Sequence, residues 1–99
     1  MRVVLPKAAA AAAARALRVR KTLPPSRQYG TAVGLSQARK ISKGQAIDAV
    51  RTYSFLSRAY PAYRDAVRRG LDPETSKAIG AFLLWGGMPA YNSLSNRLN

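Results

Sequence analysis

The supply of large apolar side chains is the feature that most limits what this chain of 99 residues can fold into. Of its 47 hydrophobic residues 18 are alanine, which buries little area, so 29 larger side chains remain for a core. A chain of this length makes one domain at most. We therefore expect a small fold that has no large independent core.

Composition also limits the chemistry. The chain has no histidine and no cysteine, which removes the commonest general base, the thiol nucleophile, disulfides and ordinary zinc or haem sites. Its four carboxylates are Asp48, Asp65, Asp72 and Glu74, and their positions suggest no catalytic pair. The sequence predicts a protein that is not an enzyme and that has no cofactor or metal.

Charge is distributed unevenly along the chain. The net charge is +13, yet no acidic residue occurs from Met1 to Ile47, where ten basic residues lie. Seven consecutive alanines, residues 8–14, favour a helix, and Arg15 and Arg18 project from nearly the same side of it. Arginine-rich helices without acidic residues are typical of mitochondrial targeting peptides, so residues 1–29 are predicted to be one.

Three other interpretations compete for residues 1–29. A secretory signal would carry its charges before an uninterrupted apolar run, whereas here the basic residues follow and interrupt a run of alanine. A plastid peptide would have more hydroxyl residues than Thr22 and Ser26. The third interpretation is a basic tail that is retained and binds nucleic acid.

A processing site follows the basic helix in the sequence. The double proline at positions 24 and 25 ends the helix and leaves the next residues extended. Arg27, Gln28 and Tyr29, followed by Gly30, resemble the cleavage pattern of the mitochondrial matrix processing peptidase. The resemblance implies a cut between Tyr29 and Gly30, which would leave residues 30–99 with a net charge of +6.

Beyond the processing site the pattern changes twice. Residues 30–45 contain three glycines and several polar residues without a sustained period, so they are predicted to be a flexible basic lead-in. Over residues 46–70 the apolar positions recur every three or four residues, which predicts an amphipathic helix. Pro61 lies within this stripe, so the helix is expected to bend or restart there. Arg69 and Gly70 favour a helix end.

Residues 72–99 are predicted to be an apolar C-terminal helix and tail. Asp72 is the expected N-cap and Pro73 the first helical residue. The run 78–91 carries no charge and would extend roughly 21 Å as a helix, which fits a buried or interfacial helix. The longer uncharged interval 78–96 would extend roughly 28 Å, close to the hydrocarbon core of a bilayer. Both interpretations stay open.

These segments predict an all-α protein that acts by binding partners. In size and build it resembles the small accessory subunits of mitochondrial respiratory complexes and of the ATP synthase membrane sector. The resemblance implies a non-catalytic subunit of an inner-membrane complex, packed against larger subunits and in contact with lipid. If the apolar helix crosses the membrane, the nine basic residues from Arg39 to Lys77 place the N-terminal portion in the matrix.

Two faces are candidates for contact with partner subunits, one on each predicted helix. Packing of the two helices against one another within the chain explains the same faces equally simply. The candidate residues are Tyr53, Leu56, Tyr60 and Tyr63 on the first helix, and Gly80, Phe82, Trp85 and Gly86 on the second.

The alternative function is a mitochondrial ribosomal or other RNA-bound protein that uses its basic residues on phosphate. No recognisable RNA-binding module accompanies these residues. A third option is an assembly factor or inhibitor that binds a complex transiently. The candidates for phosphate contact are Arg39, Lys40, Lys43, Arg51, Arg58, Arg64, Arg68 and Arg69.

Overall fold

A computed structural model describes all residues, 1–99. Five helices follow one another along the chain: α1 (Lys7–Thr22), α2 (Ala32–Ser42), α3 (Ala49–Arg68), α4 (Lys77–Leu84) and α5 (Gly87–Leu98). Near the start, β1 (Arg2–Val3) pairs antiparallel with β2 (Ile47–Asp48), and a single 3-10 turn spans Pro25–Arg27. The all-α class predicted from the sequence is confirmed.

The alanine-rich segment forms α1, which lies in the core of the protein. Ala9, Ala13 and Ala16 recur every three or four residues and are completely buried, because their small side chains let neighbouring helices approach closely. α1 packs against α2, α4 and α5. The helix ends at Thr22, immediately before Leu23 and the two prolines.

Residues 30–45, predicted to be a flexible lead-in, contain α2, and this is a correction. The hydroxyl of Thr31 accepts a hydrogen bond from the Gly34 N–H and so caps the helix. Ala38 and Ile41 are buried on one face of α2 and belong to the core. The helix ends before Gly44, which has a positive φ of 73°.

The amphipathic helix predicted over 46–70 is α3, with bounds Ala49–Arg68. It begins at Ala49 because residues 47 and 48 pair with β1, and the Asp48 carboxylate accepts the Arg51 N–H at 2.9 Å. It continues through Pro61 as one helix, so no restart occurs there. The predicted stop is confirmed, because Gly70 takes a positive φ of 76° just beyond the helix.

The C-terminal segment differs from the single helix predicted over 72–99. Asp72 was predicted to cap a helix, but its carboxylate accepts the N–H groups of Glu74 and Thr75 in a turn. Ser76 is the N-cap of α4, and its hydroxyl accepts the Ile79 N–H at 3.3 Å. Gly86, with a φ of 104°, then separates α4 from α5, because this left-handed conformation cannot continue a helix.

The core is a single cluster of 17 buried residues to which every helix contributes. Six of the 17 are alanines, as expected from a sequence with few large apolar side chains. Seven of the 17 core residues lie in residues 1–29, so the segment predicted to be a targeting peptide is part of the folded body in this structure.

Candidate functional site

A surface groove lies where the start of α2, the middle of α3 and the end of α4 meet; we call it the α2–α3 groove. Its volume is about 360 Å³. Arg51, Phe55 and Arg58 line it from α3, and their spacing of four and three residues places them on one helix face. The other lining residues are Gly30, Thr31, Val33, Gly34, Ala81, Leu84 and Trp85. None of them is acidic.

Two stacked aromatic rings form part of the wall of the groove. The ring centroids of Phe55 and Trp85 are 4.5 Å apart, and the rings are inclined by 15°. Phe55 is half-buried, whereas Trp85 is only 6% exposed. The indole N–H lies next to Gly34, and it donates to no acceptor in the protein. The groove therefore has an aromatic surface and an unused donor.

Further free donors come from the beginning of α2. The Gly34 N–H is satisfied by the Thr31 hydroxyl at 3.2 Å. The N–H groups of Ala32 and Val33 belong to the first helical turn, where no helical carbonyl precedes them, and no other acceptor takes them. This end of the helix also carries partial positive charge, so it favours an anion.

Basic side chains continue along the surface from the α2–α3 groove. Arg51 and Arg58 are exposed, and a neighbouring depression shares Arg51 and also includes Lys40. Gln37 lies beneath this depression, 8% exposed, and its Oε1 accepts no hydrogen bond. No carboxylate lines either concavity. The arrangement is a row of three cations beside an aromatic surface.

Asp48 is the acidic residue closest in sequence to this row. Its carboxylate is occupied at the N-terminus of α3, where it accepts the Arg51 backbone N–H. That hydrogen bond lowers the pKa of Asp48 below its ordinary value. The carboxylate caps the helix, and it makes no ion pair with the guanidinium of Arg51.

The other basic residues predicted to bind phosphate lie elsewhere. Arg39 and Lys43 line a separate basic groove between α1 and α2, together with Arg20 and Lys21. Arg64 lies over the Tyr60 ring, with its guanidinium carbon 5.7 Å from the ring centroid. The remaining two are exposed at the end of α3: Arg68 and Arg69. The fold thus brings Lys40, Arg51 and Arg58 together and separates the rest.

The two faces predicted to contact partner subunits pack largely against each other within the molecule. Leu56 and Phe82 are completely buried. Tyr63 stacks on Phe82 with centroids 4.1 Å apart, and Tyr60 stacks on Tyr91 of α5 at 5.1 Å. These contacts correspond to the intramolecular packing that the sequence left open.

The other four predicted contact residues, Tyr53, Gly80, Trp85 and Gly86, also contact other parts of the same chain. The Tyr29 ring occupies the space beside Gly80 that a side chain would fill. Gly86 is buried, and Trp85 lines the α2–α3 groove. Tyr53 is half-buried, and its hydroxyl accepts a hydrogen bond from the Asn99 side chain at 3.1 Å. Of these four residues, Tyr53 alone is half-buried and the other three are buried.

The residues of the predicted processing site lie at the end of the 3-10 turn. Arg27 is exposed, but Tyr29 is 3% exposed and its hydroxyl donates to the Ala16 carbonyl at 2.7 Å. The Arg20 side chain donates to the Tyr29 carbonyl. Gly30 takes a positive φ of 94° beside Leu84. In the folded protein Tyr29 is buried in the core while Gly30 is exposed, and processing there stays a prediction.

Sequence reasoning identified Arg51, Arg58 and Trp85 but missed Thr31 and Phe55. A threonine followed by a helical pattern is a capping signal, which could have identified the beginning of α2. Phe55 lies outside the apolar stripe of α3, four residues after Arg51 and three before Arg58. This aromatic residue between two arginines was the available signal for the groove.

The chain matches no protein-family model, no curated protein and no solved structure. None of the five helices combines the length and the hydropathy needed to cross a bilayer. The acidic residues form no group of three that would hold a metal ion. Function is therefore inferred from the surface itself.

Proposed function

We propose that this protein is a non-catalytic nucleic-acid-binding protein that holds phosphate on its basic surface. One observation carries the proposal: of the 17 basic side chains only Arg64 lies within 4.0 Å of a carboxylate, that of Asp65. A net charge of +13 is thus concentrated, almost without internal pairing, on a body with a radius of gyration of 12.3 Å. Such a field attracts polyanions and raises their rate of association.

The position of α1 strengthens this proposal. Its exposed side carries Lys7, Arg15, Arg18 and Lys21, while its alanine side is buried. Because α1 belongs to the folded body, these charges add to those of α2 and α3. The positive field of the whole chain is accordingly larger than that of residues 30–99.

The test is the salt dependence of binding to nucleic acid. Fluorescence anisotropy with a labelled 20-nucleotide single strand and with a 20-base-pair duplex measures the dissociation constant between about 50 and 200 mM salt. Release of counterions predicts that log affinity falls linearly with log salt, with a slope of about −0.7 to −0.9 per phosphate neutralised. Polyglutamate of similar length is the control for attraction to charge alone. Failure to bind either nucleic acid at the lowest salt would refute the proposal.

A subunit of a mitochondrial inner-membrane complex is the second candidate function. It is favoured by four half-buried tyrosines on α3 and α5, which leave a partly exposed aromatic surface beside the core: Tyr53, Tyr60, Tyr63 and Tyr91. Aromatic residues of this kind are enriched at protein interfaces. Native gels of detergent-solubilised mitochondria test it, because a resident subunit migrates with a large complex and resists extraction by salt. Its migration as a free protein of about 10.7 kDa would contradict this function.

A further inference from the structure

We infer that the α2–α3 groove binds an unstacked nucleotide of a single-stranded nucleic acid, with the base on Phe55 and the neighbouring phosphates at Arg51, Arg58 and the start of α2. The inference rests on the proposed function, which concerns phosphate alone. It adds that this protein distinguishes single strands from duplexes, and it identifies where the base is held.

The aromatic wall of the groove, formed by Phe55 and Trp85, provides the surface on which the base stacks. Phe55 is half-buried, and its ring is backed by Trp85 at 4.5 Å, so the ring is held in one orientation. Every base has a flat face that stacks on such a ring, whatever its sequence. A groove of about 360 Å³ is at the lower end of the range for small-ligand sites and is large enough to hold a base.

The polar groups of the groove, Arg51, Arg58 and the N–H groups at the start of α2, provide the donors for the phosphates. Arg51 and Arg58 are seven residues apart on α3, which separates their backbones by roughly 10.5 Å along the helix. Phe55 lies between them. The free Val33 N–H and the unpaired indole N–H of Trp85 add donors to the lining, and the free Ala32 N–H lies in the neighbouring depression. With no carboxylate in the lining, nothing in the groove opposes an anion.

The recessed position of the aromatic wall favours single strands. A base within a duplex is stacked on both faces and paired at its edge, so it reaches Phe55 only after it is unstacked. A surface that recognised phosphate alone would bind a duplex at least as tightly, because a duplex carries more charge per unit length. Preference for single strands is therefore the property that separates base stacking from simple attraction to charge.

The experiment uses the full chain and its single tryptophan, Trp85, as the optical reporter. The probes are 12-nucleotide oligo(U) and oligo(dT), a 12-base-pair duplex and uridine monophosphate, titrated at about 50 mM salt. We expect the single strands to change the fluorescence of Trp85, to bind at least about 10-fold more tightly than the duplex, and to bind more tightly than the mononucleotide. Equal affinity for single strands and duplex would overturn the inference.

Variants of Phe55 and the two arginines provide the second measurement. Phe55→Leu keeps an apolar side chain but removes the aromatic face, and Phe55→Ala removes the platform; each is expected to weaken single-strand binding by about 10-fold with little effect on the duplex. Arg51→Gln and Arg58→Gln are expected to weaken both and to reduce the salt slope for single strands by about 0.7 each. Arg97→Gln, on the exposed end of α5, is the matched control.

The outcomes separate this inference from the proposed function. If no nucleic acid binds to the wild-type chain, both fail. If single strands and duplex bind with a steep salt slope while Phe55→Leu, shown to be folded by circular dichroism, binds normally, phosphate binding stands and base binding in this groove is wrong. Loss of single-strand preference in both Phe55 variants, but not in Arg97→Gln, supports the inference.

Discussion

The ring of Tyr29 fills the space that a side chain at position 80 would need. A Cβ built on Gly80 would lie 2.2 Å from two ring carbons, far inside contact distance. The Tyr29 hydroxyl is held at the same time by the Ala16 carbonyl at 2.7 Å. Tyr29 thus joins α1 to α4 across the core, and neither its ring nor its hydroxyl can shift without losing a contact.

Gly80→Ala is expected to destabilise the protein, since the added methyl group must displace a buried ring. Overpacking of this kind costs about 1–3 kcal/mol. Gly34→Ala is the matched control, because Gly34 is also helical and its nearest neighbour would be 3.4 Å from the new Cβ, an ordinary contact. There the better helix propensity of alanine should leave stability unchanged or raise it by up to about 1 kcal/mol. Urea unfolding measures both, and a Gly80→Ala protein as stable as Gly34→Ala would contradict the assignment.

Stability should also depend on the proton of Tyr29. Burial raises the pKa of its hydroxyl from 10.0 to about 12. Between these values the unfolded chain has lost the proton while the folded protein keeps it, so stability falls as the pH rises. Tyr29→Phe has no such proton, and its stability should fall less steeply from about pH 10 to 12 in urea unfolding. Parallel pH profiles for the two proteins would show that Tyr29 is not the cause.

At the level of elements, the sequence predicts α3 best because its packed face and its C-terminal end are visible in it, although its start was placed three residues too early. Its apolar stripe is long, Asp48 caps its start and Gly70 follows its end. α2 was not predicted because its buried face shows no apolar period in the sequence. That face includes a glycine and an amide and consists of Gly34, Gln37, Ala38 and Ile41. Tertiary contact with α1 stabilises this helix, and that contact cannot be read from a local pattern.

The C-terminal helices were mispredicted for a related reason. Asp72 followed by Pro73 fits a helix start, but it fits a turn equally well, and the turn is what forms. Two adjacent glycines, Gly86 and Gly87, both with positive φ, divide the apolar run into two helices. The arginines of the candidate site could be predicted from the sequence. The walls of the groove could not, because they come from three helices that only the folded chain brings together.

The packing of α1 can be tested with two alanines of the same helix. Ala13 is completely buried, and Ala11, two residues earlier, is exposed. Ala13→Leu should lose about 1–3 kcal/mol, because a larger side chain cannot enter the close contact between helices. Ala11→Leu adds the same group towards solvent and should change stability by less than about 0.5 kcal/mol. Equal effects in chemical denaturation would indicate that α1 does not dock as described.

On the scale of the whole molecule, residues 1–29 and 30–99 form one body. The sheet joins Arg2–Val3 to Ile47–Asp48, and the Met1 carbonyl accepts the Ala49 N–H at 2.8 Å. Together with the seven core residues from the first segment, these contacts tie both parts of the chain together. Removal of residues 1–29 would expose the apolar faces of α2, α4 and α5 that α1 covers.

Small-angle scattering can examine this arrangement directly. The radius of gyration over Cα atoms is 12.3 Å, close to the roughly 13 Å usual for a folded chain of about 100 residues. We expect a value of about 13 Å for the full chain at both low and high salt. A detached basic segment would raise the value clearly, and it would contract as salt screens the repulsion between its charges. The fragment 30–99 should show no cooperative thermal transition.

The contacts of α1 also determine the order in which the protein can be completed on the ribosome. α1 is made before α4 and α5, two of the helices on which it packs. At about 5–20 residues per second, the 77 residues after Thr22 take roughly 4 to 15 s to synthesise. During that interval α4 and α5 are not yet available to cover the alanine face of α1. A factor that binds this alanine face must therefore act before α4 and α5 have folded onto it.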